Sequence, residues 1–310
     1  MSTRFIGTDI DRALEILRNG GLVALPTETV YGLAADASQK EAVTRIFTAK
    51  GRPNNHPLIV HVGSIDTARH WSSMWTQSAE LLGTTYWPGP LSVVVEKSPD
   101  VLVAVTGGYQ TVALRVPGHL MAIELLTRLS GGLAAPSANK FGKVSPTTAQ
   151  HVWDDLGTSV DYILDGGPCE VGIESTIVDC STGIPVVLRP GGISTEDIHK
   201  IVEIGDDDLG ISRAPGMLPA HYAPQCEVTL LNDYAEISQL ARSTEPVTSR
   251  VLDASIDPIG FASLMYAQLR QCDVDGVRQL FVVLPEPNGI GLAIRDRLTK
   301  AAHGSKNQSH

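Results

Sequence analysis

LPTETVYGLAADA, Leu25 to Ala37, follows the apolar run GLVA and interrupts it with Pro26, two threonines, Glu28 and Tyr31 before Gly32. A short apolar run bounded by Gly and Pro reads as a buried strand, and the polar residues after it as a loop at the strand's end. The same pairing recurs down the chain. LIVHV carries His61, VALRV carries Arg115, LAAPS runs into Ser137 and Asn139, STIVD opens on Ser175, and VVLR ends at Arg189. With LSVVV and YILD, these runs alternate from Gly21 to about Glu203 with helical spacing at Lys40–Ala49, Met121–Leu129, Thr147–Leu156 and Thr195–Val202. Some strands are too close in sequence for a crossover helix. The pattern therefore predicts an α/β fold with a twisted, mixed, open sheet and flanking helices, not an all-parallel sheet.

Near residue 204 the periodicity stops, and EIGDDDLGISRAPGMLPAHYAPQ brings acidic residues, glycines and three prolines. Residues 204–227 read as an interdomain linker. Met217, Leu218 and Tyr222 give it apolar area to bury, so docking as a lid over a neighbouring site is expected. Beyond it VTLL, RVLD and LFVVLP alternate with helical patterns at Tyr234–Ala241, Gly260–Gln271 and Gly289–Ala302. This predicts a small C-terminal Rossmann-like, three-layer α/β domain over 228–303 with a three-stranded parallel sheet, after a first domain over 1–203. GSKNQSH, residues 304–310, reads as a disordered tail. At the other end Ile10, Leu14 and Leu17 mark an amphipathic helix capped by Thr8 and closed by Gly20. No secretory h-region or membrane span is visible, and a cytoplasmic location is expected.

A chain of 310 residues with 43% hydrophobic content can bury a core without staples. Its net charge of -10 and lack of Lys/Arg runs argue against strong direct nucleic-acid binding. Cys169, Cys180, Cys226 and Cys272 have no metal-ligand spacing and read as reduced thiols.

Lys50 and Arg52, in AKGRPNNHPLIVHV, sit where two cations could grip a phosphate, although cations at a helix C-terminus often only complement its dipole. His61 in an apolar strand is, alone, more often a satisfied core residue. Arg115 is more informative, because a strand arginine cannot shed its charge and must find an anion or several acceptors. Ser145 and Thr147 could simply cap a helix, Asn139 close a turn, and Arg189 form a salt bridge. Taken together, polar loops converging at strand ends are where α/β proteins bind ligands. Four cations with many hydroxyls and no metal cage suit a nucleotide plus a small carboxylate. Neither a phosphate-loop glycine motif nor a Rossmann fingerprint is present.

PTETVYGL, KGRP with HPLIVHV, WPGPLSVVV, APSAN and IESTIVD resemble, as an ordered set, the threonylcarbamoyl-adenylate synthase family. The first domain is similar to the YrdC-like domain, and APGMLPAHYAP with GIGLAIRDRL resembles the two-domain long form. The resemblance implies an enzyme, a nucleotidyltransferase making threonylcarbamoyl-AMP and pyrophosphate from L-threonine, bicarbonate and ATP. That product serves threonylcarbamoyladenosine modification of ANN-decoding tRNAs by downstream proteins. It also implies a threonine pocket of Thr29, His61, Arg115, Ser175 and the backbone of Ala135. ATP would be held by Lys50, Arg52, His56, Thr111, Ser137, Asn139, Ser145, Arg189 and Tyr222, with Lys50 and Arg52 catalytic. Magnesium is expected with the triphosphate, and no protein-ligated metal. This chain departs from the family in having His56 where Asn precedes the proline, and Leu218, Pro219 and Ala220 where basic residues precede the His–Tyr pair. Two other readings use the same domain: an RNA-binding or ribosome-assembly module, which the acidity opposes, and a carbamoyl-transfer enzyme of hydrogenase maturation, whose cysteine pairs are absent.

Overall fold

A computed structural model of the chain describes residues 5–205, 221–233, 235–236 and 248–306. Eleven strands form one sheet: β1 (Ile6–Gly7), β2 (Val23–Leu25), β3 (Gly32–Asp36), β4 (Ile59–Val62), β5 (Ser72–Met74), β6 (Leu91–Lys97), β7 (Thr111–Arg115), β8 (Gly132–Ala134), β9 (Tyr162–Leu164), β10 (Thr176–Asp179) and β11 (Val186–Arg189). Their order is β1-β9-β2-β3-β8-β4-β7-β6-β10-β11, with β5 beside β6. The sheet is mixed. β4 and β7 run parallel while β2 and β3, joined by the PTETVY loop, run antiparallel.

Side chains on a strand alternate between faces, and this decides where the site can be. Leu58, Val60 and Val62 join Val112, Leu114 and Val116 in the main core, with Val43, Ile46 and Phe47 of the helix Lys40–Lys50. The residues between them, Ile59 and Ala113, face the other way and pack with Val94, Ile177 and Leu188. His61 and Arg115 continue that second row and are register partners.

The second sheet contains β12 (Glu227–Leu231), β13 (Ser249–Asp253) and β14 (Gln279–Val283), in the order β12-β14-β13, all parallel. It is flanked by the helices Pro258–Val274 and Ile290–Lys306. Val30, Val144 and Ile173 of the first domain lie in one apolar cluster with Phe261, Met265 and Leu298 of the second. Gly172 permits this approach, since a Cβ there would lie 2.5 Å from Ala262 O and from Ser263 Cα.

Three expectations need correction. Asp9, not Thr8, caps the first helix by accepting from Arg12 N, and Asn19 rather than Gly20 ends it. The stretch 304–306 is helix rather than tail, and Ser305 is buried with its hydroxyl accepting from Val228 N. β3 occupies Gly32–Asp36, within the opening stretch, where GLAAD lacks the branched residues that would mark a strand. Linker residues 206–220, most of the helix expected at Tyr234–Ala241, and 307–310 lie outside the described residues. Among the described residues no helix is long and apolar enough to cross a membrane.

Candidate active site

A cavity opens where the second row of side chains meets the β2–β3 loop. Thr27 organises that loop. Its hydroxyl donates to Val30 O at 2.6 Å and accepts from the backbone N of Thr29 and of Val30, both at 3.2 Å. Thr29 is thereby presented, fully buried, with its hydroxyl 2.8 Å from that of Thr27. The polar residues after the strand are a self-satisfied turn whose inner surface is one wall of the cavity.

At this end Arg115 and His61 also line the cavity, with Ala135 and Ser175. Arg115 Nη2 lies 2.8 Å from Glu28 Oε1 without hydrogen-bond alignment, so the pair is ionic and the guanidinium edge keeps unused donors. Glu28 Oε2 accepts from Gly118 N at 2.9 Å, and Arg115 Nε donates to Gly89 O at 3.2 Å. His61 is buried, and this burial, reinforced by Arg115, lowers its pKa to about 3. It is a neutral imidazole whose Nδ1 has no partner among the described residues.

The other end is built around Arg52. Its Nη2 donates to Pro57 O at 3.0 Å, and among the described residues its Nε has no partner and no carboxylate pairs with it. Burial pulls this guanidinium down to about 10. Phe141 lies under it, 5.9 Å from ring centroid to guanidinium carbon, with His56 and His221 edge-on to the same ring. Ser137 lines the cavity, but Lys50 and Asn139 stand behind it. Lys50 is 3% exposed, and its ammonium donates to Ser137 O at 2.5 Å and Asn139 O at 2.6 Å. Asn139 donates to Lys140 O and Lys143 O. Lys50 is a buried tie that shapes the 137–139 loop. Lys50→Ala is accordingly expected to lower stability by about 1–3 kcal/mol, because two buried carbonyls lose their donor. Unchanged denaturant unfolding would show that the tie is dispensable.

Glu174 joins the two ends. Its Oε1 accepts from Ser145 Oγ at 2.7 Å, and its Oε2 accepts from Tyr266 Oη and Arg297 Nε, both at 2.8 Å. Burial pushes this carboxyl up, but Arg297 and Arg189 prevail and hold it at about 2. Arg189 donates to Ser175 O at 2.8 Å. Tyr222 lines the cavity at 1% exposure with φ of 61°, a backbone conformation rare for a bulky residue, and His221 is beside it.

Residues 15–191 match the Sua5/YciO/YrdC family model, described as telomere recombination, and residues 193–303 match the threonylcarbamoyl-AMP synthase C-terminal domain. Threonylcarbamoyl-AMP synthase of Pyrococcus abyssi is 37% identical, over 94% of this chain and 93% of that protein. The chain belongs to the threonylcarbamoyl-AMP synthase family. The Bacillus subtilis threonylcarbamoyl-AMP synthase is 38% identical, with 95% of this chain and 93% of its own length covered. The crystal structure of P. abyssi Sua5 complexed with L-threonine superposes with a TM-score of 0.91 at 36% identity, covering 97% of this chain and 98% of that one.

In this member of the threonylcarbamoyl-AMP synthase family, the cavity gathers Thr29, His61, Arg115, Ala135 and Ser175 with Arg52, Ser137, Arg189 and Tyr222. Lys50, Asn139 and Ser145 support its wall from behind, and half-buried His56 stands beside Arg52. Thr111 is on the same face as Arg115 but at the far end of β7, about 13 Å along the strand. Sequence reasoning left Glu28, Glu174, Tyr266 and Arg297 without a site role. Only burial, which places four polar side chains in apolar surroundings, marks them out.

Proposed function

We propose that the chain is a threonylcarbamoyl-AMP synthase, converting L-threonine, bicarbonate and ATP to threonylcarbamoyl-AMP and pyrophosphate for tRNA threonylcarbamoyladenosine formation. The observation that carries the reading is the asymmetry between the buried guanidiniums of Arg115 and Arg52, at opposite ends of the cavity. Arg115 has Glu28 beside it yet keeps donors for a carboxylate, whereas Arg52 has no acidic partner among the described residues and is suited to a phosphate. L-threonine then binds with its carboxylate at Arg115 and its amine or hydroxyl toward neutral His61 and Thr29. ATP extends from Arg52 and Ser137 along the same face, toward Thr111.

Threonine's amine takes up bicarbonate with loss of water to give a carbamate. The carbamate oxygen attacks the α-phosphorus while the bond to pyrophosphate breaks. Charge gathering on the phosphoryl oxygens is met by Arg52 and Arg189, and positioning with fixed charge is sufficient for such transfers. Lys50 acts through the 137–139 loop. Glu28 and Glu174 are occupied by arginines, so the cavity offers magnesium no cage; the ion enters as companion of the triphosphate. Among the described residues no cluster of three His, Cys, Asp or Glu is gathered.

Carbamate and mixed anhydride both hydrolyse, so exclusion of water matters. His221 and Tyr222 are docked into the cavity wall, and Ala223 N donates to Gly142 O at 3.1 Å. The reading makes the strained Tyr222 the inner edge of a lid. Tyr222→Ala is expected to raise the ratio of AMP released by hydrolysis of the intermediate to intermediate delivered by about tenfold; an unchanged ratio removes it from the lid. The reaction itself is tested by measuring pyrophosphate release with each substrate omitted in turn. Release that ignores L-threonine or bicarbonate rejects the synthase reading.

A further inference from the structure

We infer that Arg297, in the C-terminal domain, is a positioning residue for adenylation: it locks Glu174, and through it Ser145, into the nucleotide half of the cavity. The second domain is thereby a working part of the active site. This inference rests on the reading of the cavity as an ATP and threonine site.

Arg297 is 1% exposed, on the helix Ile290–Lys306, and a guanidinium so buried cannot discard its charge. It spends its donors on the first domain. Nε donates to Glu174 Oε2 at 2.8 Å and Nη2 to Pro190 O at 3.0 Å, directly after Arg189; Nη1 also bonds its neighbour Asp296. Tyr266 Oη, from the other C-terminal helix, reaches the same Glu174 oxygen at 2.8 Å. The second carboxylate oxygen faces the first domain and accepts from Ser145 at 2.7 Å. The lid residue Tyr222 is held by the same pair, its ring 5.5 Å from the Arg297 guanidinium and stacked on Tyr266 at 5.5 Å. Gly191 allows the close fit, since a Cβ there would lie 2.4 Å from Glu174 O.

Three cavity segments, around residues 174, 190 and 222, therefore converge on one side chain from another domain, and a fourth, around Ser145, joins them through Glu174. Gluing two domains together does not require this. A buried ion pair stabilises no better than well-packed apolar residues of equal volume, whereas its fork fixes direction. At the threonine end Arg115 is held separately, by Glu28 and Gly89, and the cluster meets that end only at Ser175, which follows Glu174 in the chain and accepts from Arg189.

The test uses the full-length protein with Arg297→Lys, Tyr266→Phe and the charge-neutral pair Arg297→Met with Glu174→Gln. Calorimetry gives the Kd for ATP and for L-threonine separately, unfolding gives melting temperature, and pyrophosphate release gives kcat. Arg297→Lys is expected to raise the ATP Kd about tenfold or more and leave the threonine Kd within about twofold. Tyr266→Phe should raise the ATP Kd about two- to fivefold. The paired variant removes both members of the Arg297–Glu174 ion pair, so its melting temperature should recover while its ATP affinity does not. Unchanged ATP affinity in Arg297→Lys, or recovery of both properties in the pair, makes Arg297 an interdomain tie and overturns the inference. A parent protein that binds ATP but releases no pyrophosphate rejects the synthase reading alone, because the ATP affinities still decide the role of Arg297. A parent that binds no ATP overturns both.

Discussion

Arg115→Ala is expected to weaken L-threonine binding by about 2–4 kcal/mol, since it removes a buried cation from a carboxylate. Stability should fall as well. Glu28, with its side chain 10% exposed, would be left as a buried carboxylate without its cation, a loss of about 3–5 kcal/mol when one partner of a buried pair is removed. The two effects separate in a double-mutant cycle with Glu28→Gln. Neutralising Glu28 in the Arg115→Ala background should restore much of the melting temperature and none of the threonine affinity. Titration calorimetry reads the affinity at a temperature where all variants are folded. An unchanged threonine Kd in Arg115→Ala removes this residue from the site, whatever happens to stability.

The Arg115 wall was legible because alternation is a local property. In TVALRV the apolar residues at 112, 114 and 116 commit one face to the core, so the arginine at 115 must face the other way. HPLIVHV places His61 by the same rule, and the pairing of the two strands follows from neither sequence. The partners of Lys50 were not legible for a related reason. Its position at a helix end is local, but the carbonyls that capture it belong to residues 137 and 139, and only the folded sheet brings them near. Glu174 and Arg297 are 123 residues apart, on different domains, and no periodicity in either segment points to the other. Thr27 and Thr29 stood out as polar residues in an apolar neighbourhood; that one organises the turn and the other faces the cavity became evident only from the hydrogen bonds.

Acid should unfold the protein well before its carboxylates titrate. His61 and His221 are both held near 3. Burial is the main cause at each. Arg115 adds to it at His61, while at His221 Glu174 opposes it and Lys50 and Arg52 reinforce it. In the unfolded chain both return to the ordinary 6.5. Between those values the unfolded state binds two protons that the folded state refuses, so stability falls as pH falls, by about 1.4 kcal/mol per pH unit for each histidine. Together they remove about 5 kcal/mol between pH 6.5 and 4.5, as much as the whole stability of many domains. Half-buried His151, lowered to about 4, acts in the same direction and less strongly. Glu174 extends the loss at lower pH: depressed to about 2 from 4.5, it contributes stability that is present above the upper value and lost through the lower one. Urea unfolding at intervals from pH 7.5 to 4.5 should therefore show a midpoint that drops steeply below about 6.5. His221→Gln, which cannot take up a proton, should remove about half of that slope. A midpoint that stays flat from pH 7 to 5 would mean that both imidazoles can be charged in the folded protein, and the neutral His61 required for the threonine pocket would have to be abandoned.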